Sequence, residues 1–158
     1  AFGTTATHLL ALAQVRGETA VLKWLSALKA NGVRIVGGNS HVRDLVARGE
    51  CDLGLTDSDD VAVGRARGDA IDLVYPEGDT LLIPNSAALL RGAPHGAEGR
   101  RFLDWLLRPE TETALARGPS RQIPLRAELP DLRPLEVDWS KLSPSEAFLD
   151  RVRKALDL

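Results

Sequence analysis

The chain has 158 residues, 44% of them hydrophobic and 27% charged, with a net charge of −2. That balance belongs to a folded globular chain rather than a disordered one, and without a basic block it argues against a nucleic-acid partner. No apolar run is long enough to span a bilayer, and the single Cys51 excludes an intramolecular disulfide or a multi-cysteine metal cage.

Ala1-Phe2-Gly3 opens the chain without Met or a visible signal peptide, which reads as a piece of a longer protein. Gly3-Thr4-Thr5 precedes an apolar periodic stretch from Ala6 to Val15, which predicts a threonine-capped helix ending near Gly17. Glu18 to Ala30 repeats the pattern through Val21, Leu22, Leu25 and Leu28, and Asn31-Gly32 supplies a left-handed stop. Val33–Val36 reads as a short β-branched strand that Gly37-Gly38 turns into a helix over His41–Arg48, closed by Gly49. Leu53–Thr56 is the next expected strand, Asp57–Gly68 a helix with an acidic first turn, and Ile71–Val74 a strand again. This alternation implies a largely parallel, doubly wound α/β sheet.

Beyond it, Pro76–Asp79 reads as a turn, Thr80–Ile83 as a strand broken by Pro84, and Ser86–Leu90 as one more strand. Ala97–Leu107 and Pro109–Arg117 are amphipathic helices, the second opened by proline at its first position. Prolines 119, 124, 130 and 134 forbid long regular elements up to Leu142. Ser143-Pro144-Ser145-Glu146 forms a capping box for a last helix whose apolar face is Phe148, Leu149, Val152 and Leu156.

Two helix starts carry hydroxyl or amide side chains beside unsatisfied backbone donors: Thr4 and Thr5 at one, Asn39 and Ser40 at the other. In a parallel sheet both would lie at the carboxyl ends of strands, where ligands bind in open α/β folds. Plain N-capping explains the same residues, so capping and anion binding both remain open. Asp57, Ser58, Asp59 and Asp60 follow an expected strand. They either cap the next helix and complement its dipole or hold a hard cation through oxygen. His8 reads either as half-exposed surface or as facing such a site, and His41 follows the Asn39-Ser40 start and can point at the same site. His95 lies solvent-facing in a Pro/Gly loop, and Trp24, Trp105 and Trp139 read as core or edge packing. No His-x-x-x-His pair, Gly-x-Ser-x-Gly elbow or lysine-bearing phosphate loop occurs, so no enzyme is expected.

The series Gly3 to Leu12, Gly17-Glu18, Trp24 to Gly32, Asn39-Ser40 with Val42 and Val46, Gly49-Glu50 and Gly54-Leu55 resembles the periplasmic ferric-iron-binding proteins of ABC importers. Ile83 to Ala93 and Phe102 to Leu107 resemble the carboxyl-terminal half of the same family. The resemblance implies a type II periplasmic-binding-protein-like fold, two α/β lobes with helices on both sheet faces. It also implies that most of the amino-terminal lobe is missing. Residues 1–74 would form a second-lobe unit, 75–120 the crossover and first-lobe contribution, and 121–158 the return segment with the last helix.

By the same resemblance, Gly3, Thr4, Thr5, Asn39, Ser40 and Ser58 would hold a synergistic anion such as phosphate or carbonate. The family's adjacent iron-ligating tyrosines correspond to Asp59 and Asp60; with Asp57 these make the candidate metal ligands. Tyr75 is too far along the chain to replace them. Two carboxylates are generic hard-cation ligands rather than ferric-selective ones. Iron is therefore kept with other ligands, replaced by another cation, or given up for an oxyanion or small organic phosphonate. The implied function is the solute-binding component of an ABC importer, periplasmic and partnered by a permease. A periplasmic sensor domain is the alternative from a different class.

Overall fold

A computed structural model describes residues 3–118, 122–126 and 132–158. The described residues form seven helices: α1 (Thr4–Arg16), α2 (Glu18–Ala30), α3 (Asn39–Ala47), α4 (Ser58–Arg67), α5 (Gly96–Leu106), α6 (Pro109–Arg117) and α7 (Glu146–Leu156). They divide into two units, one of Ala1–Ile35, Tyr75–Pro84 and Pro130–Leu158, the other of Val36–Val74 and Asn85–Leu129. Pro119, Pro130 and the expected boundary at 120/121 lie outside the described residues.

The first unit is helix on helix. α7 packs on α2, and α2 on α1. Leu9 of α1, Val21 and Leu25 of α2, and Phe148, Leu149 and Val152 of α7 form the buried cluster, flanked by Ala6, Ala13, Leu28 and Leu156. Each set recurs at three- or four-residue intervals, so each helix turns one stripe inward. Gly17 makes the α1–α2 corner possible. It ends α1 and precedes α2 at φ 85°, a conformation that costs glycine nothing, and its N–H still closes α1 on Ala13 O at 3.0 Å. Farther along, Gln14 pairs with the backbone of Asp138 by two 3.0 Å hydrogen bonds, donating through Nε2 and accepting through Oε1.

The expected doubly wound α/β sheet is absent among the described residues. A single isolated bridge joins Thr80 to Pro134 in parallel, supported by Leu135 N–H donating to Thr80 O at 2.7 Å. Val33–Val36, Leu53–Thr56, Ile71–Val74 and Ser86–Leu90 carry no ladder, and Ile35, Leu53, Leu55 and Val74 are exposed. A short apolar run favours a strand only where a neighbouring strand pairs with it, and among the described residues no such neighbour runs alongside. In place of the expected doubly wound sheet of a type II periplasmic-binding-protein-like fold, the regular elements of the described residues are all helices.

Capping also departs from expectation. Gly3, not a threonine, precedes α1, and no side chain caps it; Thr7 Oγ1 instead donates back to Gly3 O at 3.3 Å. The last helix is capped by Ser145 rather than Ser143: its Oγ accepts from Phe148 N–H at 3.3 Å, so Glu146 is the first helical residue and no capping box forms. Replacing Ser145 by Ala is expected to lower stability by about 1 kcal/mol. A urea midpoint unchanged in that variant would show that the cap contributes nothing.

In the second unit α3 packs on α4, burying Leu45 and Val61, and α5 meets α6. Thr111, buried in the first turn of α6, donates through Oγ1 to Trp105 O at 2.7 Å and so satisfies the carboxyl end of α5. α5 itself buries no residue, and Phe102 stacks on Trp105 with centroids 5.7 Å apart. Trp24, Trp105 and Trp139 are between 38% and 47% exposed, which makes all three edge residues rather than core.

Candidate functional site

The site residues expected from sequence fall into both units. Gly3, Thr4 and Thr5, all exposed, open α1 in the first; Asn39, Ser40, Asp57, Ser58, Asp59 and Asp60 lie in the second.

Within the second unit the starts of α3 and α4 are tied together. Asn39, first residue of α3, donates through Nδ2 to Asp57 Oδ2 at 2.6 Å, and Thr56 Oγ1 donates to Asn39 O at 3.3 Å. Asp57 immediately precedes α4 with extended backbone, the usual capping conformation, yet its carboxylate makes no cap bond. Asn39 and Asp57 therefore bind each other instead of capping, and no side chain caps α1, α3 or α4. Such ends present backbone N–H groups and the positive end of the dipole. Ser40 is exposed in the first turn of α3, and Ser58 is half-buried as the first residue of α4.

Sequence reasoning missed Arg43. It is 5% exposed, on the α3 face that meets α4. Its Nε and Nη2 donate to Asp44 Oδ1 at 2.8 and 2.6 Å, and Nη1 lies 3.6 Å from Asp60 Oδ1. The one available signal was spacing, since Arg43 stands four residues after Asn39 and so on the same helix face. The guanidinium's hydrogen bond holds the Asp44 carboxyl below its ordinary value. Asp60 moves the other way, raised chiefly by lost hydration and then by the negative charge of Asp59.

The two aspartates have opposite linkage to pH. Asp44, depressed in the folded state, contributes stability that is present above its unfolded value and lost as pH falls through the folded one. Asp60, raised in the folded state, binds more protons folded than unfolded between the two values, so its ionised form costs stability at neutral pH. Asp60→Asn is therefore expected to raise the melting temperature at pH 7, the gain shrinking as pH drops below the raised value. Asp44→Asn should lower it at pH 7, the difference fading in acid. Melting curves across pH 3–8 read both, and like signs for the two variants would contradict this geometry.

The remaining candidates are dispersed. His8 is half-buried in α1, His41 is exposed in α3, and His95 is exposed just before α5. Among the described residues no group of three or more His, Cys, Asp or Glu is placed to hold a metal ion. Asp57 is engaged by Asn39 and Asp60 leans on Arg43, so these carboxylates do not by themselves fit one.

Residues 1–118 match the family of bacterial extracellular solute-binding proteins. The chain belongs to that family. The matched stretch runs from α1 through α6 and thus contains every candidate site residue of this solute-binding chain. The match supports the bacterial extracellular solute-binding family and does not extend to the ferric-iron type. A Haemophilus influenzae protein described only as uncharacterised is similar, 29% identical over 141 residues. The alignment covers 89% of the present chain, and the chain spans 40% of that relative's length. No solved structure matches. Among the described residues no helix is long and apolar enough to cross a membrane.

Proposed function

We propose that this chain belongs to the solute-capturing component of an ABC importer, working in the periplasm with a permease, and that the ligand is a small oxyanion such as phosphate or carbonate. The observation that carries the reading is the solute-binding family match over residues 1–118, the stretch that holds the paired starts of α3 and α4 in the second unit. The candidates of the second unit are the donors: first-turn amides at Asn39 and Ser40, with the hydroxyl of Ser58. Helix starts suit oxyanions because their N–H groups and dipoles are fixed before binding.

Iron or another hard cation enters only as the anion's companion. The exposed Asp59 is the carboxylate best placed for it, since Asp57 and Asp60 are committed to Asn39 and Arg43. Binding and release involve no covalent step, so the proposal names no catalytic residue.

Thermal shift with phosphate, carbonate and sulfate, each with and without ferric ion, tests the reading. A ligand at one hundred times its dissociation constant adds about 2.7 kcal/mol to the native state. The expected result is a higher melting temperature with phosphate or carbonate that is lost in Asn39→Pro, which removes a first-turn N–H at the helix position where proline is tolerated. No shift with any oxyanion would overturn the proposal.

A further inference from the structure

We infer that Arg43 is a positioning residue of the proposed site: its buried guanidinium fastens the first turn of α4, which carries Ser58, Asp59 and Asp60, in register against α3. What that turn is used for rests on the solute-binding reading; the fastening itself rests on geometry alone.

An arginine is a costly way to pack two helices. Apolar residues in place of the arginine and its carboxylate partners together would hold α3 on α4 at least as stably, because buried charges must recover their lost hydration from each other. Removing the arginine alone instead leaves Asp44 and Asp60 without their cation. What the guanidinium adds is direction. Asp44, the next residue on the same helix, takes both Nε and Nη2 on one oxygen, which orients the planar fork and leaves Nη1 facing Asp60 on α4.

The stem is located too. A Cβ at Gly64 of α4 would stand 2.8 Å from Arg43 Cδ and 2.6 Å from Ile71 Cδ1, so α4 approaches this closely because that position is bare. One turn earlier on α3, Asn39 holds Asp57 at 2.6 Å. Two polar ties one turn apart, Asn39 to Asp57 and Arg43 to Asp60, therefore join the same helix pair. Sliding α4 along α3 breaks both at once, whereas burial of Leu45 and Val61 is non-directional and sets no register by itself.

Amide hydrogen exchange on the full chain tests this. In Arg43→Met, the hydrogen-bonded amides of α4 beyond its open first turn should exchange about tenfold faster or more, while those of α1, α2 and α7 keep their rates, because local opening is confined to the loosened element. Arg43→Lys, which keeps the charge without the fork, should show a smaller acceleration. Asp44→Ala removes the orienting carboxylate on α3 and keeps the test available should Arg43→Met not fold; it should also loosen α4. Unchanged exchange in α4, or acceleration spread equally over α1, α2 and α7, would overturn the role. A parallel titration with inorganic phosphate separates the two readings. Absence of phosphate binding by the unaltered chain sinks the oxyanion proposal, while the exchange rates still decide Arg43.

Discussion

Replacing Phe148 by Ala is expected to lower stability by about 3–5 kcal/mol, the range for a fully buried aromatic side chain whose neighbours relax only in part. Phe148 and Val152 are the largest fully buried side chains, and both stand on α7 where it crosses α2. The ring contacts a cluster drawn from three helices, so its loss leaves a cavity shared by Leu9, Val21 and Leu25. Far-UV circular dichroism in urea reads the change as a lower midpoint with an unaltered slope. Phe102→Ala is the control. Its ring is 57% exposed on α5, and surface replacements of that kind stay within about 0.5 kcal/mol. Equal losses for the two phenylalanines would mean that the core is not where the helices place it.

Gly54→Ala is expected to destabilise by about 1–3 kcal/mol through overpacking. A methyl group there would lie 2.3 Å from Val42 Cγ1 and 3.3 Å from Val46 Cγ2, both on α3. Valine in a helix is held to one dominant rotamer and cannot swing aside, so the segment carrying Gly54 must lift off α3. Gly64→Ala makes the useful comparison. It meets tight contacts as well, but it lies inside α4, where alanine gains about 1 kcal/mol of helix propensity over glycine. The Gly54 variant has no such offset and should be the more damaged of the two. Shortening Val42 to Ala in the Gly54→Ala background should restore much of the loss; strict additivity of the two substitutions would refute the contact.

The site was partly legible before any coordinates. Asn39, Asp57 and Asp60 were singled out as polar residues beside helix starts, and the structure places all three at the α3–α4 pair. Their roles were not legible. Asn39 and Asp57 have the chemistry of N-caps, yet each satisfies the other across 18 positions of sequence, a pairing that no local window displays. Arg43 was passed over because an arginine among Val42, Asp44 and Leu45 resembles an ordinary charged surface position. Only the approach of α4, permitted at Gly64, shows that it is buried.

The helices were written in the sequence. α2 and α6 span the residues that periodicity, Asn31-Gly32 and the proline at the first position of α6 had marked, because helical hydrogen bonds join residues four apart and leave their trace in a short window. Membership of the solute-binding family was legible as well, in the ordered series of residues from Gly3 to Leu107. Tertiary structure alone decided the fate of the apolar runs at Val33–Val36, Leu53–Thr56 and Ile71–Val74. A ladder depends on a partner distant in sequence, and local β-propensity cannot say whether that partner is present. The choice of Ser145 over Ser143 as cap and the tie between Arg43 and Asp60 were settled in the same way, by contacts that exist only once the chain has folded.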